Sequence, residues 1–260
     1  MSDWFRCFEE RTSAATRLIC FPHAGGSAVF YRDWHRLASP AVEVHAVQYP
    51  GRADRLRDPL IGDARRLAET VTRELRPLLD RPVALFGHSM GSLIAYETAR
   101  LLTAAGTPPV HLFVSGGSAA HDPGRLVDRV AQAPEEVLVA KLRLLGGTET
   151  EALANAELRS LVLPYLRNDF AVVESYRHLP GPALTVPVTA FAGAEDPVVR
   201  PEGVARWAEL TSGDFTCHVL PGGHFFPVYE QATVWAHMHA ELDRQPSPGH
   251  LCRRPSSLLC

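Results

Sequence analysis

Three short segments carry the residue types that nucleophilic acyl chemistry requires. GHSMG, residues 87–91, sets Ser89 between two glycines; FAGAEDPVV, residues 191–199, offers Glu195 and Asp196; and LPGGHFFP, residues 220–227, presents His224. A serine hydroxyl is a weak nucleophile at neutral pH, so it needs a base to take its proton and an acid to orient that base. The order Ser, Asp, His along the chain is one of the arrangements that supply all three. The G-x-S-x-G pattern alone is short: at average usage of roughly 7% per residue, about one chain in ten of this length carries it by chance. Its surroundings must therefore decide.

Those surroundings alternate short apolar runs with longer helical ones, the signature of parallel strands joined by crossover helices. Strands are expected at Arg17–Phe21, Val42–Val47, Val83–Phe86, Val110–Ser115, Val186–Ala192 and Phe215–Leu220. Helices are expected at Val29–Ala38, Asp63–Leu79, Gly91–Ala105, Glu202–Leu210 and Val228–Leu242. Ser89 then falls on a strand-to-helix turn, where glycines at 87 and 91 avoid clashes with the flanking elements. His224 and Asp196 each follow a strand directly, at the sheet edge where ligands gather in open α/β folds. Between residues 115 and 186 lies a long segment with helical patterning and no strand signal. Within it, 133–145 (Val137, Leu138, Leu142, Leu145) and 158–176 (Leu161, Leu166, Phe170, Val173) predict amphipathic helices of an inserted lid, about residues 120–180.

Twelve histidines compete for the role of base. His35, His111, His178, His237 and His239 sit in helical or strand patterns, whereas His224 occupies a glycine-bearing loop just past a strand. Glu195 is the local rival of Asp196, and Pro197 fixes the turn after the latter. A second oxyanion donor must accompany the Met90 amide at the helix start. The loop in CFPHAGGSAVFYRDW offers the Ala24 amide, with His23 a shaping or a packing residue. Neither G-x-G-x-x-G nor G-x-x-x-x-G-K occurs there, which argues against a phosphate loop. Met90, Phe225, Phe226 and the lid segment are candidates for the substrate pocket. In GRADRLRDP, Arg52, Arg55 and Arg57 are offset by Asp54 and Asp58, leaving one net positive charge. A solvated loop is expected there, with contact to a phosphate or an acidic protein face as the alternative.

Composition excludes several classes. The 260 residues are 46% hydrophobic with a formal net charge of −3, enough for one large core and short of the basic surface that nucleic acid or anionic membranes demand. No run approaches the roughly 18 apolar residues of a membrane span, and MSDWFRCFEERTSAATR lacks a signal-peptide core. Five scattered cysteines, odd in number and without a C-x-x-C pair, read as reduced thiols of a cytoplasmic protein with no metal site. We expect one α/β domain over residues 1–244, monomeric, followed by a disordered proline- and serine-rich tail at 245–260.

Taken together, FPHAGGSAVFYRDW, VQYPGRADRLRDP, LFGHSMGSLIAYE, FAGAEDPVV and LPGGHFFP resemble the stand-alone type II thioesterases of polyketide and nonribosomal peptide biosynthesis, over roughly residues 15–243. The resemblance implies an α/β-hydrolase fold, a mostly parallel sheet flanked by helices with a helical lid. It implies release of acyl groups from the phosphopantetheine arm of acyl or peptidyl carrier proteins, with no cofactor bound by the enzyme itself. It also implies Ser89 as nucleophile, Asp196 as acid, His224 as base, and the Ala24 and Met90 amides as oxyanion donors. Thioesterase domains fused to synthases often carry the acid one strand earlier; here that strand ends in VSGGSAAHDP, with no acid before Asp122. A carboxylester hydrolase or an acyltransferase would use the same triad, and a non-catalytic module would be expected to lack one of its members.

Overall fold

The computed structural model describes residues 3–125, 129–146 and 155–244. Seven strands form one sheet in the order β1-β3-β2-β4-β5-β6-β7, in which β1 (Phe5–Cys7) is antiparallel to β3 (Val42–Val47) and every other pairing is parallel. The remaining strands are β2 (Thr16–Phe21), β4 (Val83–His88), β5 (His111–Ser115), β6 (Val188–Gly193) and β7 (Phe215–Leu220). β4 and β5 are buried along their whole length, as strands covered on both faces must be. Alternate residues of β4 serve opposite faces: Val83 and Leu85 enter one core, Ala84 and Phe86 the other.

The first core is covered by α1 (Ala64–Leu75) and α2 (Met90–Ala104). Leu67, Val71 and Leu75 of α1 point inward, and the Asp63 side chain caps its start by accepting from the Arg66 amide at 2.9 Å. The second core, around Trp34, Phe86, Phe113 and Trp235, is closed by α7 (Gln231–Asp243). Between β5 and β6 the chain inserts α3 (Glu135–Leu145) and α4 (Ala156–Ser175), which share a small separate core of Val130, Leu138, Leu142, Val162 and Leu166. Val137 and Leu161, expected on the buried faces, are instead exposed.

The crossover from β2 leads to β3 on one side of the sheet, while that from β4 leads to β5 on the other. Their C-terminal ends therefore open a crevice between diverging loops, the topological switch point at which α/β sheets bind ligands.

Several expected helices are shorter or broken. Residues 28–36 form two 3₁₀ turns, Ala28–Tyr31 and Trp34–Arg36, each of which buries one large aromatic ring, Tyr31 and Trp34, in the second core. The Tyr31 hydroxyl donates to the Phe21 carbonyl at 2.9 Å, which fixes that turn against β2. Residues 202–210 divide into α5 (Pro201–Ala205) and a 3₁₀ segment, and the final helix is interrupted at Glu230, after α6 (Phe226–Tyr229). The edge strand β1 is too short for a sequence signal. The predicted tail at 245–260 lies outside the described residues. Among the described residues, no helix is long and apolar enough to cross a membrane.

Candidate active site

The turn between β4 and α2 places Ser89 at φ 55° and ψ −117°, a conformation that L side chains rarely adopt. Packing on either side explains why the backbone holds it. A Cβ at Gly87 would collide with the Gly91 carbonyl, and one at Gly91 with the Phe21 carbonyl of β2, so the helix can approach the sheet only with glycine at both positions. The Ser89 amide donates to the Ser115 carbonyl at 2.7 Å. Ser92, which the sequence reading passed over, lies with its hydroxyl 2.8 Å from the Gly87 carbonyl and 3.0 Å from that of Ser115. The turn is thereby bound to the neighbouring strand at several points.

His224 enters from the loop after β7. Gly193, the last residue of β6, lies beneath that loop: a Cβ there would come within 2.5 Å of the Gly223 carbonyl. The same closeness lets the Glu195 amide donate to the Gly222 carbonyl at 3.0 Å, tying the acid-bearing loop to the histidine-bearing one. His224 Nε2 stands 2.9 Å from Ser89 Oγ, and Nδ1 stands 2.7 Å from Asp196 Oδ2. The other oxygen of Asp196 accepts from the amides of Val198 at 2.9 Å and Val199 at 3.0 Å. Burial acts to raise the pKa of Asp196, but the bond and charge of His224 and the two amides outweigh it and hold the carboxyl below its usual range. Glu195 is exposed and takes no part.

Thus Ser89, Asp196 and His224 are brought into one hydrogen-bonded line from three distant segments. The loop after β2 carries Ala24, half-buried against the first core, and Met90 opens α2, where helix amides lack intrahelical partners. Phe225 packs edge-on to His224, with ring centroids 5.4 Å apart, and to His23 at 4.7 Å. Phe226 does not share that position: it is wholly buried in the second core with Phe191, Trp235 and Met238. His23 is buried in the same aromatic group as Phe30 and Phe225.

Residues 16–242 match the thioesterase domain family. The chain belongs to that family. This thioesterase is 42% identical over 226 residues to the thioesterase PikA5 of Streptomyces venezuelae, covering 86% of this chain and 79% of that one. It is 38% identical over 223 residues to a probable cadicidin biosynthesis thioesterase of Streptomyces griseus, covering 86% of this chain but 61% of the relative's length. Its structure is similar to that of the type II thioesterase BorB from the borrelidin biosynthetic cluster, with a TM-score of 0.85, 39% identity, and coverage of 92% of this chain and 97% of that one. The architecture is accordingly that of an α/β-hydrolase.

Other residues around the thioesterase site had no signal in the sequence. His88 is fully buried beside Ser89, its Nδ1 3.1 Å from Ser115 Oγ and its ring 5.3 Å from that of His224. Burial, followed by the nearness of His224 and His23, drives its pKa well below the ordinary histidine value. Its ring is therefore held in the neutral form, so His88 places no charge against His224. The arginines of GRADRLRDP also depart from expectation. Arg52 and Arg55 are buried rather than solvated, Arg52 against Asp169 of α4 and Arg55 over the Trp4 ring with its Nε donating to Asp58 at 2.7 Å. Only Arg57 of the three is exposed.

Cys7, Glu43 and His45 bring three potential metal ligands within 4.8 Å of one another, away from this site. Glu43, however, already accepts from Arg17 at 2.9 Å and the Arg11 amide at 2.8 Å, and it pairs with His45 at 2.7 Å. That cluster is an ion-pair network whose oxygens are taken.

Proposed function

We propose that this thioesterase hydrolyses acyl thioesters carried on the phosphopantetheine arm of acyl or peptidyl carrier proteins, clearing acyl groups from a polyketide or nonribosomal peptide synthase. The observation that carries the reading is the line Ser89–His224–Asp196, with successive separations of 2.9 and 2.7 Å, anchored on a strained turn. Family membership and the names of its relatives support thioester chemistry over other uses of the same triad.

In this reading Ser89 Oγ attacks the thioester carbonyl carbon as His224 Nε2 takes its proton. Asp196 holds the proton on Nδ1, so that Nε2 is the atom free to accept, and it stabilises the imidazolium that results. The amides of Ala24 and Met90 bind the oxyanion. Collapse breaks the C–S bond. Because a thiol has a pKa of about 8.5, the thiolate departs with little acid assistance and is then protonated from His224. Water attacks the acyl-serine with His224 again as base; the acyl C–Oγ bond breaks as His224 returns the proton to Ser89 Oγ, releasing the carboxylic acid. The insertion bearing α3 and α4 serves as the lid, and together with Phe225 it shapes the acyl pocket.

Mass spectrometry of a panel of acyl-loaded carrier proteins, before and after exposure to the enzyme, tests this directly. The expected result is loss of the acyl mass, with return of the free phosphopantetheine thiol and appearance of free acid, in the wild type and not in Ser89→Ala. Faster turnover of a matched oxygen ester, or transfer of the acyl group to another acceptor in place of water, would contradict it.

A further inference from the structure

The insertion is joined to the oxyanion loop by a buried charge. Asp169 lies in α4 and is 2% exposed, in a helix whose other buried positions are largely apolar. Its Oδ2 accepts from the Gly25 amide at 2.8 Å and from Arg52 Nη1 at 2.5 Å, while Oδ1 accepts from Arg52 Nη2 at 2.8 Å. Arg52, equally buried, also donates from Nη1 to the Gly26 carbonyl at 3.1 Å, and its guanidinium lies 4.8 Å from the centre of the Tyr165 ring of α4. Gln48 adds a third clamp, accepting from the Ala28 amide at 2.9 Å and donating to the Arg52 carbonyl at 3.1 Å. The loop following β2 is thus held by its backbone at Gly25, Gly26 and Ala28, and the hold on Gly25 comes from α4.

A bidentate arginine–carboxylate pair fixes orientation as well as distance. Gly25 sits in the left-handed region at φ 85°, so a shift of its amide rotates the peptide directly after Ala24. The first half of α4 packs with α3 in the small core of the insertion, whereas Val172 and Val173, just beyond Asp169, join the first core of the body, so the fork at Asp169 sits where the helix passes from one core to the other.

We propose that Asp169 and Arg52 are positioning residues for the oxyanion hole, so that the donor at Ala24 is in place only while α4 is docked. The proposal rests on the assignment of Ala24 and Ser89 made above. It makes acyl-chain accommodation beneath the insertion and catalysis interdependent, because withdrawal of α4 withdraws the restraint on Gly25.

The test compares the full-length wild type, Ser89→Ala, Asp169→Asn and the double variant Arg52→Leu/Asp169→Leu. The double variant leaves no orphaned buried charge and should remain folded. A misplaced oxyanion donor lowers kcat by about 10- to 100-fold. KM should change by less than about threefold, since the donor acts on the transition state rather than on substrate binding. Affinity for an acyl trifluoromethyl ketone, whose serine adduct carries an oxyanion, should fall by the same factor as kcat/KM, while affinity for the product carboxylate holds. A folded double variant with wild-type kcat and ketone affinity would overturn the proposal. Should the double variant not fold, hydrogen exchange of the peptide covering residues 22–28 in Asp169→Asn decides: faster exchange there supports the clamp, and unchanged exchange overturns it. A wild type lacking Ser89-dependent thioester hydrolysis would instead refute the function proposed above.

Discussion

Replacing Asp196 with asparagine separates the orienting role proposed for the acid from its bulk. The two amides of Val198 and Val199 both point at Oδ1, which decides how the new side chain sits. With the amide oxygen at that position both hydrogen bonds survive; with the amide nitrogen there both are lost, at about 1 kcal/mol each plus the cost of leaving buried donors unpaired. A penalty of about 2–3 kcal/mol favours the first arrangement by roughly 30- to 150-fold. The asparagine NH₂ then faces His224 Nδ1 and donates to it, which forces the imidazole proton onto Nε2. In that tautomer Nε2 donates to Ser89 Oγ and cannot receive its proton. The expected loss in kcat is roughly 10⁴-fold, about 5.4 kcal/mol of transition-state stabilisation. Folding stability should change by only about 1 kcal/mol, a shift of roughly 2–4 °C in thermal midpoint. Steady-state release of thiol from an acyl-N-acetylcysteamine, followed with a disulfide reagent alongside calorimetry of both proteins, measures the two quantities. A folded variant that keeps more than a tenth of wild-type kcat would refute the tautomer argument.

The strained turn yields a comparison between Ser89→Gly and Ser89→Ala. Both lack the hydroxyl, but only glycine is at ease at φ 55°, so relief of about 1–3 kcal/mol should exceed its unfolded-state entropy cost of about 0.4–1 kcal/mol and give the higher thermal midpoint; an equal or lower midpoint would show that the backbone there is not strained. Gly87→Ala should destabilise by about 3 kcal/mol or more, because the obstacle is the Gly91 backbone rather than a movable side chain, and a denaturant midpoint within error of the wild type would contradict the packing argument. Glu43 provides a pH test remote from the site. Burial acts to raise its pKa, but His45, the Arg11 amide and Arg17 push it down to about 2, so its stabilisation is complete above the ordinary glutamate pKa of about 4.3 and is lost as pH falls toward about 2. The stability gap between wild type and Glu43→Gln should therefore narrow across that window, and a gap independent of pH would refute the assignment.

The inner strands were legible because they are buried on both faces and read as apolar runs, Val42–Val47 residue for residue; Phe215–Leu220 also keeps its expected bounds, although as an edge strand it is only partly buried. Ser89, His224 and Asp196 were legible because each lies directly after a strand beside glycine or proline, a local signal with a physical cause. Tertiary packing governs what was missed. Three-residue β1 exists only because β3 offers it an edge. The break of residues 28–36 into two tight turns depends on where Tyr31 and Trp34 must be buried. Arg52 reads as a solvated charge among alternating aspartates, since its partner Asp169 stands 117 residues away, and no local pattern announces an ion pair between a loop and a helix. His88 reads as one more polar residue of a turn until the neighbouring strands close over it.

The most direct measurement of the central claim is intact-protein and peptide mass spectrometry of the enzyme quenched during turnover of a slowly hydrolysed acyl thioester. The account predicts a single acyl increment on the peptide containing Ser89, formed with one equivalent of released thiol and lost as free acid appears. An acyl group on another residue, or undiminished hydrolysis by Ser89→Ala with no covalent intermediate, would contradict it.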